Sequence, residues 1–179
     1  MANTKDMKVY YFIFDTSFGK IFFASTNEGL CIVSFTDDNP EKQFNWLRKH
    51  FKENNIIEDK NRNIEAFNQL EEYFQEKRQD FDLKLHLIGT AFQEQVWNVL
   101  TEIKFGEILT YKDVSCKLGD MNKSRAVGGA VGKNPIVVIV PCHRVIGSNG
   151  KLTGFSAVGG LELKKRLLDL EEVNAQLSF

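Results

Sequence analysis

The stretch Thr110–Val131, TYKDVSCKLGDMNKSRAVGGAV, determines the fold class of the second half of the chain. Thr110 is followed three residues later by Asp113, which predicts a capped short helix that Gly119 ends. A further helix is predicted from about Asn122 to Val131. Two short helices joined by a turn that contains glycine are typical of a helix-turn-helix.

The segments on either side of this stretch extend a mainly helical unit. Apolar residues repeat at helical spacing from Phe92 to Ile103, and Gly106 is predicted to end that helix. After the helix-turn-helix, the β-branched run Ile136–Val140 predicts a buried strand. A last amphipathic helix is predicted from about Leu161 to Glu172.

The first half of the chain has a different periodicity. Strand-like alternation covers residues 9–14, 21–25, 30–35 and, after two helical patterns, 81–87. The helical patterns run from Pro40 to Phe51 and from Ile64 to Phe74. We therefore expect an α/β (α+β) protein with a small mixed domain at residues 1–88 and a mainly helical domain at 89–179.

Composition and charge exclude several classes of protein. The chain has 179 residues, of which 42% are hydrophobic and 26% charged, which excludes disordered, collagenous and disulfide-scaffold proteins. A net charge of −1 excludes a wholly basic nucleic-acid coat protein. Residues 104–151 nevertheless contain 8 basic and 3 acidic side chains, a local field of the kind that attracts phosphate backbones.

The cysteines and the apolar runs bear on the compartment. The three cysteines, at positions 31, 116 and 142, have no CxxC spacing, so neither a disulfide framework nor a metal site is expected. Apolar runs such as Ile136–Val140 are too short to cross a membrane, and the amino terminus is polar. We therefore expect a cytoplasmic protein, nuclear in a eukaryote, without a membrane or targeting segment.

The segment Pro141-Cys142-His143-Arg144-Val145 contains the strongest candidate for a reactive side chain. A cysteine reacts as the thiolate, and a basic or cationic neighbour such as His143 or Arg144 lowers its pKa. The alternative is a buried structural cysteine. Adjacent residues in an extended chain point to opposite faces, so His143 serves Cys142 only if the backbone kinks or a water relays the proton.

These residues resemble a known family. The O6-alkylguanine-DNA alkyltransferases, also called methylated-DNA–protein-cysteine methyltransferases, carry the motif Pro-Cys-His-Arg-Val. Four more blocks are similar and stand in the family's order: Thr90–Trp97, Phe105–Tyr111, Ser124–Ala130 and Gly132–Pro135. The resemblance covers residues 89–172. The first half is similar only in general shape to the family's small ribonuclease-H-like domain.

The resemblance implies direct DNA repair in a single turnover. The alkyl group of O6-alkylguanine, and more weakly of O4-alkylthymine, would move irreversibly to Cys142 after minor-groove binding and base flipping. Double-stranded DNA carrying O6-alkylguanine is the implied partner, with no cofactor, no metal and no membrane. A monomer is expected.

The resemblance also implies the residues of the reaction centre. Cys142 would be the nucleophile, and Glu171 would orient His143, which a water links to the thiol. Asn134 would hold the active-site turn. Glu172, next to Glu171, is the neighbouring carboxylate with which it could be confused.

Further residues are implied for DNA binding and for the substrate pocket. Arg125 would intercalate, and Tyr111 would favour flipping and donate a hydrogen bond to the flipped guanine. The close approach of the helix to DNA would use its small residues Ser124, Ala126, Gly128 and Gly129. The pocket would be lined by Tyr111, Pro141, Val145, Phe155 and Ser156. Segment 154–160 is two residues longer than the shorter family version.

Two other functions remain as alternatives. A cysteine hydrolase could use Cys142, His143 and Glu171 as a triad, but it needs an oxyanion hole and leaves Arg125 without a role. A non-catalytic reader of alkylated DNA is the second, and the presence of Cys142 argues against it. A transcription factor built on the same helix-turn-helix is a third interpretation, as an added role of the protein.

Overall fold

Residues 9–35 form an antiparallel meander because three apolar, β-branched or aromatic segments are separated by two hairpin turns. The computed structural model describes residues 4–172. The strands are β1 (Val9–Thr16), β2 (Gly19–Thr26) and β3 (Gly29–Phe35), with Phe12 of β1 opposite Phe23 of β2. The three strands lie where they are predicted, at residues 9–14, 21–25 and 30–35.

A fourth strand, β4 (Ile56–Glu58), pairs in parallel with β1 and gives the sheet order β3-β2-β1-β4. The sequence pattern does not predict it, because three residues are too few to show alternation. The strand is followed by a short 3₁₀ turn, where the Asn63 amide donates to the carbonyl of Tyr10 at 3.0 Å.

Helices α1 (Glu41–His50) and α2 (Ile64–Phe74) cover opposite faces of the sheet. Phe22 packs edge-on against Phe44 of α1, with ring centroids 5.3 Å apart. Its neighbour Phe23 contacts Phe14, which stacks on Phe67 of α2 at 4.3 Å. Successive residues of a strand face opposite sides, so the two helices lie on either side.

The segment 81–87 is predicted as a strand, and this is wrong. It makes one isolated bridge, between Leu85 and Leu30, beside β3. His86 is buried there, with its Nδ1 2.8 Å from Oγ1 of Thr26, while Leu85 is only half-buried. The alternation predicts that Leu85 faces the interior and His86 faces solvent, whereas His86 is the buried residue because its ring is hydrogen-bonded.

The second half is mainly helical. Its helices are α3 (Ala91–Thr101), α4 (Tyr111–Lys117), α5 (Ser124–Val131) and α6 (Gly160–Leu170). Capping boxes begin α3 at Thr90 and α4 at Thr110, because each threonine accepts from the backbone N–H three residues on. Helix α3 ends at Thr101, before the predicted Gly106, which instead adopts a positive φ in the following turn. The predicted α/β class is confirmed.

The run Ile136–Val140 is also not the predicted strand. The chain reverses there: the N–H of Val140 donates to the carbonyl of Ile136 at 2.9 Å, and Val138 has a left-handed φ of 73°. All five residues are buried, so their apolar character reflects the interior and not an extended conformation. A two-residue strand pair, β5 (Leu109–Thr110) with β6 (Val145–Ile146), lies nearby.

The chain divides into two compact units, Met1–Ile88 and Gly89–Phe179. All the candidate site residues belong to the second unit. Among residues 4–172, no helix is both long and apolar enough to cross a bilayer.

Candidate active site

Asn134 holds the reversal that leads into the Cys142 segment. Its side-chain amide donates to the carbonyl of Val140 at 2.8 Å, and its Oδ1 accepts from the N–H of Ile136 at 2.9 Å. These bonds satisfy backbone groups that a neighbouring strand would otherwise satisfy. The side chain of Asn134 also lies close enough to the thiol of Cys142 to lower its pKa.

Cys142 begins a single 3₁₀ turn, Cys142–Arg144, at the end of that reversal. The turn supplies the kink without which His143 would point away from Cys142. The thiol is buried, and burial raises its pKa. The side chain of Asn134 and the positive charge of Lys164 lower that pKa only partly, so the resting group is a thiol that needs a base.

His143 and Glu171 form a fully buried pair, with Nε2 of the imidazole 2.7 Å from Oε1 of the carboxylate. Burial raises the pKa of Glu171, but the hydrogen bonds and charges of His143 and Arg144 outweigh it and hold the pKa well below its usual range. Burial lowers the pKa of His143 by more than Glu171 raises it. The pair is therefore a neutral imidazole beside a carboxylate.

The tautomer of His143 follows from this pairing. An ionised carboxylate only accepts hydrogen bonds, so the ring proton is on Nε2 and Nδ1 carries the lone pair. Nδ1 is buried, and no residue within the described range 4–172 hydrogen-bonds to it. Because Nδ1 carries a lone pair that no donor in the described part of the chain reaches, it can accept a proton.

Arg144 corrects one expectation from the sequence. Its guanidinium does not act on Cys142; instead Nε lies 2.9 Å from Oε2 of Glu171, and a terminal nitrogen lies 2.9 Å from Oε1. A further donor reaches the carbonyl of Ile103. A fork of donors matches a carboxylate, and removal of both charges from water requires such pairing. The seven other basic residues between 104 and 151 are all exposed.

Glu171 follows the last residue of α6 and is the buried carboxylate of the adjacent pair. Its neighbour Glu172 is exposed and has a positive φ of 59°. The structure thus distinguishes the two glutamates, which the sequence alone leaves adjacent and alike.

Tyr111, the first residue of α4, lies between α5 and the segment 151–159, which we call the strap. Its hydroxyl donates to the carbonyl of Thr153 at 3.0 Å. A Cβ at Gly154 would lie 2.6 Å from that hydroxyl, and one at Gly128 would lie 3.8 Å from the ring. Burial raises the pKa of Tyr111, so the phenol is a hydrogen-bond donor at neutral pH.

The remaining pocket residues come from the strap and the Cys142 segment. Ser156 donates its hydroxyl to the carbonyl of Gly132, which fixes the strap beside the end of α5. Phe155 is half-buried in the strap, whereas Pro141 and Val145 are buried on either side of the 3₁₀ turn.

Helix α5 has one packed face and one exposed face. Its buried residues include Ala130, whose carbonyl accepts from the indole N–H of Trp97 in α3 at 2.9 Å. The other face presents Arg125, Ala126 and Gly129 to solvent, with Ser124 and Gly128 half-buried. The side chains on that face are small except for Arg125, so another molecule's backbone can approach the helix closely.

Sequence reasoning missed Lys164, which is fully buried in α6. Its Nζ donates to the carbonyls of Val145 at 2.6 Å and Thr153 at 2.9 Å. The run Lys164-Lys165-Arg166 is typical of a solvated helix face. The available signal is the spacing, because Lys164 precedes the buried Leu167 and Leu168 by three and four residues and so shares their face.

Comparison with known proteins matches both halves of the chain. Residues 91–173 match the model of the 6-O-methylguanine DNA methyltransferase DNA-binding domain, and residues 9–87 match that of its ribonuclease-like domain. The methylated-DNA–protein-cysteine methyltransferase of Methanosarcina acetivorans is 44% identical over 91% of this chain and 98% of its own. The inducible enzyme of the same name from Bacillus subtilis is 40% identical over 84% and 83%.

Solved structures agree with these matches. The Mycobacterium tuberculosis O6-methylguanine methyltransferase has a TM-score of 0.78 and 36% identity, covering 95% of both chains. OGT of the same organism in complex with DNA has a TM-score of 0.77 and 35% identity, covering 94% of both chains. The resemblance first indicated by the short sequence blocks is confirmed, and this chain belongs to the 6-O-methylguanine DNA methyltransferase family.

Proposed function

We propose that this protein repairs DNA by transferring the alkyl group of O6-alkylguanine irreversibly to Cys142. The observation that carries this proposal is the buried series Cys142, His143 and Glu171, in which the carboxylate orients the imidazole at 2.7 Å. The relatives that it matches over most of their length are named for methyl transfer from DNA to a protein cysteine. The transfer therefore makes this protein a methyltransferase that acts once.

The chemistry needs a base for the thiol and a proton for the guanine. Nδ1 of His143 takes the thiol proton through one water, and the thiolate then attacks the alkyl carbon. The new S–C bond forms as the C–O6 bond breaks, and the electron pair leaves with the guanine, which takes up one proton. The product is a thioether, which lies outside the reversible oxidation chemistry of thiols, so the protein is not regenerated.

The target base must leave the stack before the buried thiol can reach it. Support for this step comes from the small exposed face of α5, which Ala126 and Gly129 form, and from Arg125 beside it. In this proposal α5 enters the minor groove and Arg125 takes the place of the flipped base. Tyr111, a protonated phenol, exchanges its hydrogen bond to the Thr153 carbonyl for one to the flipped guanine.

The base-binding residues are assigned on the same grounds. Asn134 keeps the turn in place, while Pro141, Val145, Phe155 and Ser156 surround the flipped base together with Tyr111. Ser124 and Gly128 complete the DNA-facing side of α5. The first unit, residues 1–88, would be the ribonuclease-H-like domain and the second, 89–179, the catalytic domain. A monomeric state and a cytoplasmic or nuclear location remain predictions.

Stoichiometry and binding separate this function from the two alternatives. A duplex with one labelled O6-methylguanine is mixed with the protein, and both retained label and DNA binding are measured. One equivalent of label on the protein, with no further reaction, is expected. Lesion binding without transfer of the label would indicate a reader of alkylated DNA. In a separate assay with an ester substrate, repeated turnover would indicate a hydrolase.

A further inference from the structure

Lys164 is the only fully buried lysine among residues 4–172, and the reaction described above gives it no role. It lies on the packed face of α6, and its ammonium donates to two main-chain carbonyls, those of Val145 and Thr153. A buried ammonium is costly unless it is paired or hydrogen-bonded. Carbonyls supply hydrogen bonds without a counter-charge, so the positive charge remains available to its surroundings.

Both carbonyls belong to segments that surround the reactive cysteine. Val145 follows the 3₁₀ turn of Cys142, and its N–H donates back to the Cys142 carbonyl. Thr153 lies in the strap, and its carbonyl also accepts the hydroxyl of Tyr111. Lys164 thus connects the nucleophile turn to the strap and, through one shared acceptor, to the tyrosine of α4.

The charge of Lys164 also acts on the thiol. Arg144, two residues after Cys142 in the sequence, is paired with Glu171. The charge of Lys164 is the one that lowers the pKa of Cys142. Burial lowers the pKa of Lys164 itself to about 8, while Cys142 raises it. His143 belongs to the same group of titrating residues, since the charge of Lys164 contributes to lowering its pKa.

We propose that Lys164 is a positioning residue for alkyl transfer, which holds the Cys142 turn to the strap and provides the positive charge beside the thiolate. This role depends on the proposed reaction, in which Cys142 must become a thiolate. In this role Lys164 acts through the carbonyls of Val145 and Thr153 and through its charge, and it is not assigned to the reacting groups.

The test compares Lys164→Met with Lys164→Arg, and Lys165→Met is the matched control. Lys165→Met removes the same charge one residue along α6, from a half-exposed position. The first readout is the rate of Cys142 alkylation by iodoacetamide between pH 6 and 10, which needs no DNA. The second is the transfer rate from a duplex containing O6-methylguanine.

Lys164→Met should shift the alkylation profile to higher pH by about one unit, which corresponds to about a tenfold slower reaction at pH 7. Transfer from the duplex should slow by at least as much, and Lys164→Arg should restore most of both rates. Lys165→Met should match the wild type in the alkylation profile. If transfer fails in every protein including the wild type while the alkylation profile still shifts, the proposed function fails, and what remains is the effect of Lys164 on the Cys142 thiol.

An unchanged alkylation profile in Lys164→Met would overturn the proposal, because a merely structural lysine would alter stability without altering the thiol. Should Lys164→Met fail to fold, Lys164→Gln provides the same comparison, since its amide can still donate to a carbonyl but carries no charge. A Lys164→Gln protein with the wild-type profile would likewise contradict the role of the charge.

Discussion

At the scale of single residues, Glu171 contacts the two basic neighbours of Cys142. It orients His143 and neutralises Arg144, and all three side chains are buried. The sequence places Cys142, His143 and Arg144 side by side but shows nothing of their directions. The expectation that Arg144 activates the thiol was wrong because a guanidinium in the interior needs a carboxylate, and Glu171 is the one that reaches it.

Glu171→Gln should damage both stability and transfer. It leaves the Arg144 cation without its counter-charge, which should lower the free energy of unfolding by about 3 to 5 kcal/mol. The weaker base should slow alkyl transfer by about 100-fold. Denaturant unfolding and single-turnover transfer measure the two effects. Glu172→Gln, at the exposed neighbouring position, is the control, and equal effects from both variants would argue against the pairing.

The contribution of Glu171 should also depend on pH. Its folded-state pKa lies below the ordinary value of 4.5, so the stability it provides is present above pH 4.5 and lost as pH falls toward the folded-state pKa. Denaturant unfolding of wild type and Glu171→Gln should therefore differ by a constant amount from pH 8 to about 5, and by less below pH 4.5. A difference that grows on acidification would contradict this account.

At the scale of elements, regular helices and strands were predictable and irregular backbone was not. The capping box at Thr110 and the aromatic and β-branched residues of β1 are local signals, and the structure has both elements. The run Ile136–Val140 is apolar because it is buried, yet its backbone follows the hydrogen bonds of Asn134. In segment 81–87 the buried side chain is that of the polar His86, which hydrogen-bonds to Thr26. Those bonds join groups whose meeting depends on the complete fold, so periodicity alone does not reveal them.

A side chain at Gly154 in the strap should disturb the contact with Tyr111. Gly154→Ala and Gly119→Ala both place a Cβ on a residue with positive φ, 70° and 85°, and each should cost about 1 kcal/mol. Only the Cβ at position 154 meets the Tyr111 hydroxyl, at 2.6 Å, whereas none of the neighbours of Gly119 comes within 4 Å. Thermal denaturation and transfer rates should therefore show similar destabilisation but slower transfer in Gly154→Ala alone. Equal transfer rates in the two variants would exclude a role for the Tyr111–strap contact.

The substitution Gly129→Ala in helix α5 should stabilise the fold and weaken DNA binding. A Cβ there meets nothing within 4 Å, and φ is not positive, so Gly129→Ala should raise the free energy of unfolding by about 0.5 to 1 kcal/mol. The added methyl group should hinder close approach to DNA and weaken duplex binding, measured by fluorescence anisotropy. Reaction with the free base O6-methylguanine, which needs no groove, serves as the control. Unchanged duplex binding would show that this face of α5 stays away from DNA.

At the scale of the whole molecule, the net positive charge and the candidate site both lie in the second unit, where residues 89–179 contain 11 basic and 9 acidic side chains. Seven exposed basic residues lie between positions 104 and 151, the same span that contains α4, α5 and the Cys142 turn. The family, the fold class and the candidate nucleophile Cys142 could all be inferred from the sequence, because short motifs of neighbouring residues indicate them. The role of Lys164 could not, because the carbonyls that it reaches come from two other segments of the chain.

The most direct test of the account is peptide mass spectrometry of the protein after reaction with an equimolar duplex that carries one O6-methylguanine. We predict one added methyl group, on the peptide that contains Cys142, and none in Cys142→Ser. The other two cysteines, Cys31 and Cys116, provide internal controls in the same digest. A methyl group on either of them, or a substrate consumed while Cys142 stays unmodified, would contradict the assignment of the nucleophile.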